Sequence, residues 1–168
     1  MRRAISWIVL VLTALLLQSV VFARFQLAGA KPELIYLLTV SMAYLEGPSP
    51  GAVAGFAGGM AQDFLLNQPK GITALTLTLV GYTVGMIRQS IGNPGPLVPV
   101  VLVGGATAVG VAFNGMVSFL LGQFDFGLGY LLRVAVLAGI YNALLTPVLF
   151  PAIRAVIEGS RARKVFRW

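Results

Sequence analysis

The stretch LVPVVLVGGATAVGVAFNGMVSFLL, residues 97–121, contains no charged side chain and decides the class of fold. A transmembrane helix needs about 20 consecutive, mainly apolar residues, and this run exceeds that length. The whole chain has the same character, since 58% of its 168 residues are hydrophobic and only 10% are charged. A soluble domain of this size carries about 25% charged residues. The composition therefore predicts an integral membrane protein with no separate soluble domain.

Further apolar runs flank this stretch, and polar links rich in glycine and proline separate them. At about 20 residues per span, the length of the chain allows about six helices. We predict an all-α bundle of six transmembrane helices that forms one domain over residues 1–168, with a basic cytoplasmic tail at 158–168. Strands are not expected, because the apolar runs lack period-two alternation. The predicted spans are about 4–23, 34–45, 51–66, 72–87, 97–121 and 130–157.

Two details of this topology have alternatives. Arg2, Arg3 and the stretch Val21-Phe22-Ala23 would also suit a cleaved signal peptide. The apolar run between them is longer than the usual core of a signal peptide, about 7 to 15 residues, which favours a retained span. The second predicted span is short, so a re-entrant segment that leaves five spans is the alternative there.

The distribution of basic residues predicts the orientation of the bundle. Six spans place both termini on one side of the membrane, and cytoplasmic loops carry an excess of Lys and Arg. Cytoplasmic termini put eight of the 12 basic residues inside: Arg2, Arg3, Arg88, Arg154, Arg161, Arg163, Lys164 and Arg167. The other four lie outside: Arg24, Lys31, Lys70 and Arg133. The net charge of +7 thus reflects topology and contact with anionic lipid, not nucleic acid.

Two residue types that many enzymes and metal sites use, cysteine and histidine, are missing from this sequence. It contains no cysteine and no histidine, which excludes disulfides, thiol nucleophiles, imidazole bases and Cys/His zinc sites. No glycine-rich loop carries the lysine of a nucleotide site. We therefore predict a protein that is not an enzyme and has no metal or cofactor.

Small residues at four-residue spacing mark two neighbouring spans. Gly51, Gly55 and Gly59 recur in the third span, and Gly81 and Gly85 recur in the fourth. This spacing lets helices approach backbone to backbone in a membrane. The five glycines are therefore predicted to pack helices within the bundle or to bind the helix of a partner.

Polar residues inside the spans are the other candidates for function. Asp63 and Arg133 lie at matched depth near the outer side, which predicts an ion pair or a shared polar pocket; snorkelling of each side chain to the headgroups is the alternative. The fifth span contains Asn114 and Ser118, and the sixth contains Asn142 and Thr146. The two residues of each pair are four positions apart, so each pair forms a polar stripe along its helix. These stripes indicate hydrogen bonds between helices. The alternative is that they line a cavity for a ligand.

The order of these landmarks resembles the rod shape-determining protein MreD family of bacteria. The resemblance rests on a short first span and on four segments in the right order, which together cover about half of the chain. These are Lys31-Pro32-Glu33-Leu34, GAVAGFAGGMAQD at 51–63, Gly71-Ile72-Thr73-Ala74-Leu75 and Val80-Gly81-Tyr82. The last two spans add little to it.

The resemblance implies a multi-pass protein of the bacterial cytoplasmic membrane. Such a protein is a scaffold that binds MreC and, through it, MreB, RodA and a class B penicillin-binding protein of the machinery that builds side-wall peptidoglycan; self-association is a further expectation. The fold is expected to be similar to the substrate-binding subunits of energy-coupling-factor transporters. A small-molecule-binding transporter subunit, with Asp63, Arg133 and Asn142 in its pocket, is therefore the alternative function.

Overall fold

The computed structural model describes residues 2–18, 32–65, 71–122 and 127–162. These residues form six α-helices and no strands. The helices are α1 (Arg2–Leu16), α2 (Leu34–Glu46), α3 (Pro48–Leu65), α4 (Ile72–Ser90), α5 (Val98–Leu120) and α6 (Leu128–Ala162). Their bounds lie close to the predicted segments where both are described. The end of the first predicted span and residues 163–168 of the basic tail lie outside the described residues.

The link between α2 and α3 is narrower than predicted. Of the stretch 46–51 that was expected to separate them, only Gly47 is non-helical, with a φ of +100° that favours glycine. α3 then begins at Pro48, three residues earlier than predicted. Proline suits the first turn of a helix, because the N–H it lacks would have no partner there.

α2 lies at the centre of the bundle. Residues 34–43 are all buried, and α2 contacts each of the other five helices. A helix that is apolar on every face is stable only when other elements surround it. Around it, α3 packs mainly against α4, α5 packs mainly against α6, and α4 meets α5. The weakest of the predicted spans is thus the core of the fold.

Many large apolar side chains are exposed on the outside of the bundle, and polar side chains are buried together with apolar ones inside it. Large apolar residues such as Val53, Phe56, Val101, Val109 and Leu144 are more than half exposed. The buried polar residues are Gln18, Thr39, Ser41, Gln62, Asp63, Thr73, Thr76, Thr107, Ser118, Asn142 and Thr146. This arrangement suits a lipid surround, where interior polar groups bond to one another and apolar groups face the hydrocarbon.

Length and composition support the same conclusion for the two last helices. The segments Val98–Leu120 and Leu128–Ile157 are each long and apolar enough to cross a membrane, and Leu34–Glu46 is apolar but shorter. α6 is helical through Pro147 and Pro151, each of which removes one backbone hydrogen bond.

The five predicted glycines all lie where α3 meets its neighbours α2 and α4. A Cβ added to Gly51 would lie 2.5 Å from the Cβ of Ala43 and 2.7 Å from the carbonyl oxygen of Gly81. At Gly59 the added atom would lie 2.5 Å from the Cα of Ala74. At Gly55, Gly81 and Gly85 the nearest atoms also belong to the facing backbone, at Leu77, Gly51 and Pro48. The glycines thus pack helices of this chain against one another.

Candidate functional site at one end of the bundle

A cavity of about 430 Å³ lies at the end of the bundle where α2, α4 and α6 begin and α3 and α5 end. This volume is within the range of ligand pockets, roughly 300–1,000 Å³. Its polar lining residues are Glu33, Tyr36, Gln62, Thr73, Asn114, Ser118 and Tyr130. Its other lining residues are Val111, Gly115, Met116, Phe119, Leu128, Leu131 and Val134. We call this space the end cavity.

The start of α2 is held by a side chain of α6. Asn142 is fully buried; its Oδ1 accepts a hydrogen bond from the backbone N–H of Glu33 at 3.1 Å. The Asn142 Nδ2 donates to the carbonyl oxygen of Glu33 at 2.8 Å and to the hydroxyl of Thr107 on α5 at 3.0 Å. One amide thus satisfies both polar groups of a backbone residue just before α2 and joins three helices.

Two more amides converge on the carboxyl group of Glu33. Gln18 of the first helical segment donates from Nε2 to Glu33 Oε2 at 2.8 Å, and Gln62 of α3 donates to the same oxygen at 3.3 Å. We call Gln18, Glu33, Gln62, Thr107 and Asn142 the Glu33 cluster. Both glutamines are buried, and the Oε1 atom of each has no hydrogen-bond partner. The cluster therefore offers unused acceptor atoms.

Asp63 lies beside this cluster and caps α4. The residue is fully buried, and its Oδ2 accepts hydrogen bonds from the backbone N–H groups of Gly71 at 2.8 Å and Ala74 at 3.3 Å. Gly71 is the residue before α4 and has a φ of +101°. A glycine has no side chain to cap the helix, so a carboxylate from α3 takes that role and complements the helix dipole.

Replacing Asp63 with alanine is expected to destabilise the protein by about 2 kcal/mol, because two N–H groups at the start of α4 lose their acceptor. Asp63→Asn retains an oxygen acceptor and is expected to cost less than half as much. Unfolding of the purified variants in mixed detergent micelles measures both values. Equal losses for the two variants would show that the carboxylate has a role other than capping.

The predicted ion pair between Asp63 and Arg133 is not present in the structure. Arg133, on α6, is exposed, while the partners of Asp63 are backbone groups of α4 and the residue before it. Helix position gives the depth of a side chain but not the direction in which it points. With Asp63 committed to the cap, the reciprocal exchange of Asp63→Arg with Arg133→Asp is expected to give no rescue over the single variants.

The polar stripes of α5 and α6 have separate partners. Asn114 donates from Nδ2 to the hydroxyl of Thr73 on α4 at 3.3 Å, whereas Asn142 bonds to Glu33 and Thr107. Thr146 donates to the carbonyl oxygen of Asn142 within its own helix at 2.6 Å. Asn114 lines the end cavity, but Asn142 does not. The two asparagines therefore lie in neighbouring polar groups and not in one shared pocket.

Sequence reasoning missed three members of the Glu33 cluster. Glu33 was considered only within the segment Lys31-Pro32-Glu33-Leu34, and Gln18, Gln62 and Thr107 had no predicted role. A signal was present for Gln18, since it is a long amide inside a mainly apolar run, which is costly in a membrane unless it is bonded. Gln62 stands next to the charged Asp63, so a second polar residue marks the same place in the third span.

Comparison with known proteins identifies the family of this chain. No curated protein and no solved structure matches the chain significantly. The family model described as rod shape-determining protein MreD matches residues 1–158, which is nearly the whole sequence. The apolar outer surface fits the membrane location of that family. The chain therefore belongs to the MreD family of rod shape-determining membrane proteins.

Proposed function

We propose that this protein is a non-catalytic scaffold of the machinery that synthesises peptidoglycan during cell elongation. In this role it binds MreC and helps to position or regulate the synthases, with MreB, RodA and a class B penicillin-binding protein in the same complex. The match to the MreD family over residues 1–158 carries the proposal. The absence of cysteine and histidine from the sequence agrees with a role in assembly and not in catalysis.

The proposal includes a multi-pass topology in the cytoplasmic membrane. All six helices cross, both termini are cytoplasmic, and the basic tail contacts anionic lipid. The excess of basic residues on the side of the termini supports this orientation. The end cavity then lies toward the outer face of the membrane, because it is at the opposite end of the bundle from residue 2 and residue 162.

The glycines of α3 and α4 contribute to partner binding indirectly in this proposal. Their contact surfaces are occupied within the chain, so a partner helix binds elsewhere on the bundle. The exposed apolar faces of α5 and α6 offer such a surface. Its members are each 68–69% exposed: Val101, Val109, Leu144 and Val148. The glycines then fix the shape of the bundle that the partner recognises.

Purification of the tagged protein from its native membrane in a mild detergent is expected to recover MreC in stoichiometric amount. Mass spectrometry of the eluted proteins measures this, with an untagged strain as the control for background. A complex that contains no MreC under conditions where the tagged protein stays folded would contradict the scaffold function.

The end cavity favours a second candidate, a small-molecule-binding subunit of a transporter. Its polar lining near Glu33 and Gln62 and its volume of about 430 Å³ suit a small ligand. A subunit of this kind needs an energising partner. The same purification separates the two functions, because a transporter subunit would bring an ATPase module with it in place of MreC.

A further inference from the structure

We propose that the end cavity binds the hydroxyl groups of a molecule with an apolar chain, such as a monoacylglycerol or a free alkanediol. Such binding goes beyond the scaffold function and does not require MreC. Three polar side chains of the cavity wall indicate it: Tyr36 of α2, and Asn114 and Ser118 of α5.

Two buried hydroxyl groups belong to this wall. Tyr36 is 2% exposed and Ser118 is 4% exposed, and both residues line the cavity. Neither hydroxyl has a hydrogen-bond partner among the residues that the structure describes. A buried hydroxyl without a partner costs free energy, so a ligand that supplies the missing hydrogen bond is stabilised at this wall.

Asn114 adds an acceptor between these two hydroxyls. Its Nδ2 donates to the hydroxyl of Thr73 at 3.3 Å, which leaves its carbonyl oxygen as an acceptor. The ring of Tyr36 packs against α5 at Gly110, where an added Cβ would collide with it. Gly110, Asn114 and Ser118 follow one another at four-residue spacing, so they share one face of α5 and are about 6 Å apart along its axis. The three polar groups therefore form a row along the cavity.

A hydroxyl group on the ligand suits this row, because it can both donate and accept a hydrogen bond. It can donate to the carbonyl oxygen of Asn114 and accept from Tyr36 or Ser118. An O–H···O bond spans about 2.8 Å, so two adjacent hydroxyls of a diol can bond to groups about 6 Å apart. An ether oxygen only accepts, and it would leave Asn114 without a donor.

The remaining walls are suited to the apolar part of the ligand. Val111, Met116, Phe119, Leu131 and Val134 come from α5 and α6 and line the cavity. Phe119 is 52% and Met116 48% exposed, so this wall continues onto the outer surface of the bundle. A hydrocarbon chain can therefore extend from the cavity along the surface that faces the lipid.

Two matched pairs of compounds test the proposal on the wild-type protein in a detergent without hydroxyl groups. Monodecanoylglycerol is compared with its dimethyl ether, and an octanediol with adjacent hydroxyls is compared with its own dimethyl ether. A ligand that binds only the native state raises the unfolding temperature with concentration. We expect at least one of the two diols to raise the melting temperature, and its ether to bind at least fivefold more weakly. A fivefold change corresponds to about 1 kcal/mol, the usual contribution of one hydrogen bond.

The two pairs distinguish the source of the hydroxyl groups. A response to the lipid pair assigns the site to an acylglycerol, and a response to the soluble pair alone assigns it to a free diol. Equal responses within each pair, or no response to any of the four compounds, would overturn the proposal. The wild-type comparison decides this outcome even if a variant fails to fold.

Variants then locate the site. Tyr36→Phe and Ser118→Ala each remove one hydroxyl of the wall and little else, and at least one of them is expected to weaken binding of the diol fivefold or more. Ser41→Ala is the matched control on α2, because Ser41 is fully buried and its hydroxyl has no partner, but it does not line the cavity. Wild-type affinity in both folded wall variants, or an equal loss in Ser41→Ala, would place the ligand elsewhere and refute the assignment.

Discussion

Replacing Gly55 with leucine is expected to abolish the folded protein. The Cβ of any larger residue at this position would collide with the backbone carbonyl of Leu77 on α4 and lie 3.0 Å from the Cγ2 of Thr39 on α2. A flexible side chain could move aside, but a helix backbone moves only if α3 and α4 separate along their whole contact. Overpacking a core costs about 1–3 kcal/mol where side chains can adjust, and the cost here is expected to exceed that range.

The measurement is the yield of monodisperse protein after extraction in mild detergent, together with recovery of MreC. Gly105→Leu on α5 is the matched control, because an added Cβ there has no atom within 4 Å. Leucine favours a helix by about 0.8 kcal/mol over glycine, so the control is expected to fold as well as wild type or better. A normal yield of folded Gly55→Leu would show that α3 and α4 do not pack as closely as the structure has them.

The helices themselves could be predicted because their signals are local. Apolar run length, breakers such as Gly47, and the spacing of Gly51, Gly55 and Gly59 are all visible within short windows of sequence. The spacing predicts close-packing faces on the third and fourth spans, and the structure places these glycines between α3 and α4. What the spacing could not say was whether another helix of this chain or a partner would occupy those faces.

The site was harder to predict because its contacts are distant in sequence and involve the backbone. Asn142 and Glu33 are 109 residues apart, and Asn142 bonds to the peptide groups of Glu33 and not to its side chain. No pattern of residue types encodes such a partner. The expected pairing of Asp63 with Arg133 failed for a related reason, since a carboxylate can be neutralised by the start of a helix as well as by a cation.

Replacing Asn142 with leucine is expected to give the largest loss of stability among the polar positions of the bundle. The residue is fully buried and its amide makes three interhelical hydrogen bonds, two to the backbone of Glu33 and one to Thr107. An interhelical hydrogen bond in a membrane protein contributes about 0.6 kcal/mol on average. Three of them give about 2 kcal/mol. The backbone N–H of Glu33 loses its acceptor, which adds to this loss, while the carbonyl oxygen of Glu33 keeps the N–H of Leu37 at 3.3 Å.

Asn114→Leu is the matched control for this prediction, because Asn114 has one described interhelical bond, to Thr73, and lines the end cavity where a larger side chain has room. It is expected to cost about 0.6 kcal/mol, a third or less of the effect at Asn142. Unfolding of both variants in mixed micelles measures the difference. A similar loss of stability for the two variants would mean that the bond to the backbone before α2 does not hold the central helix in place.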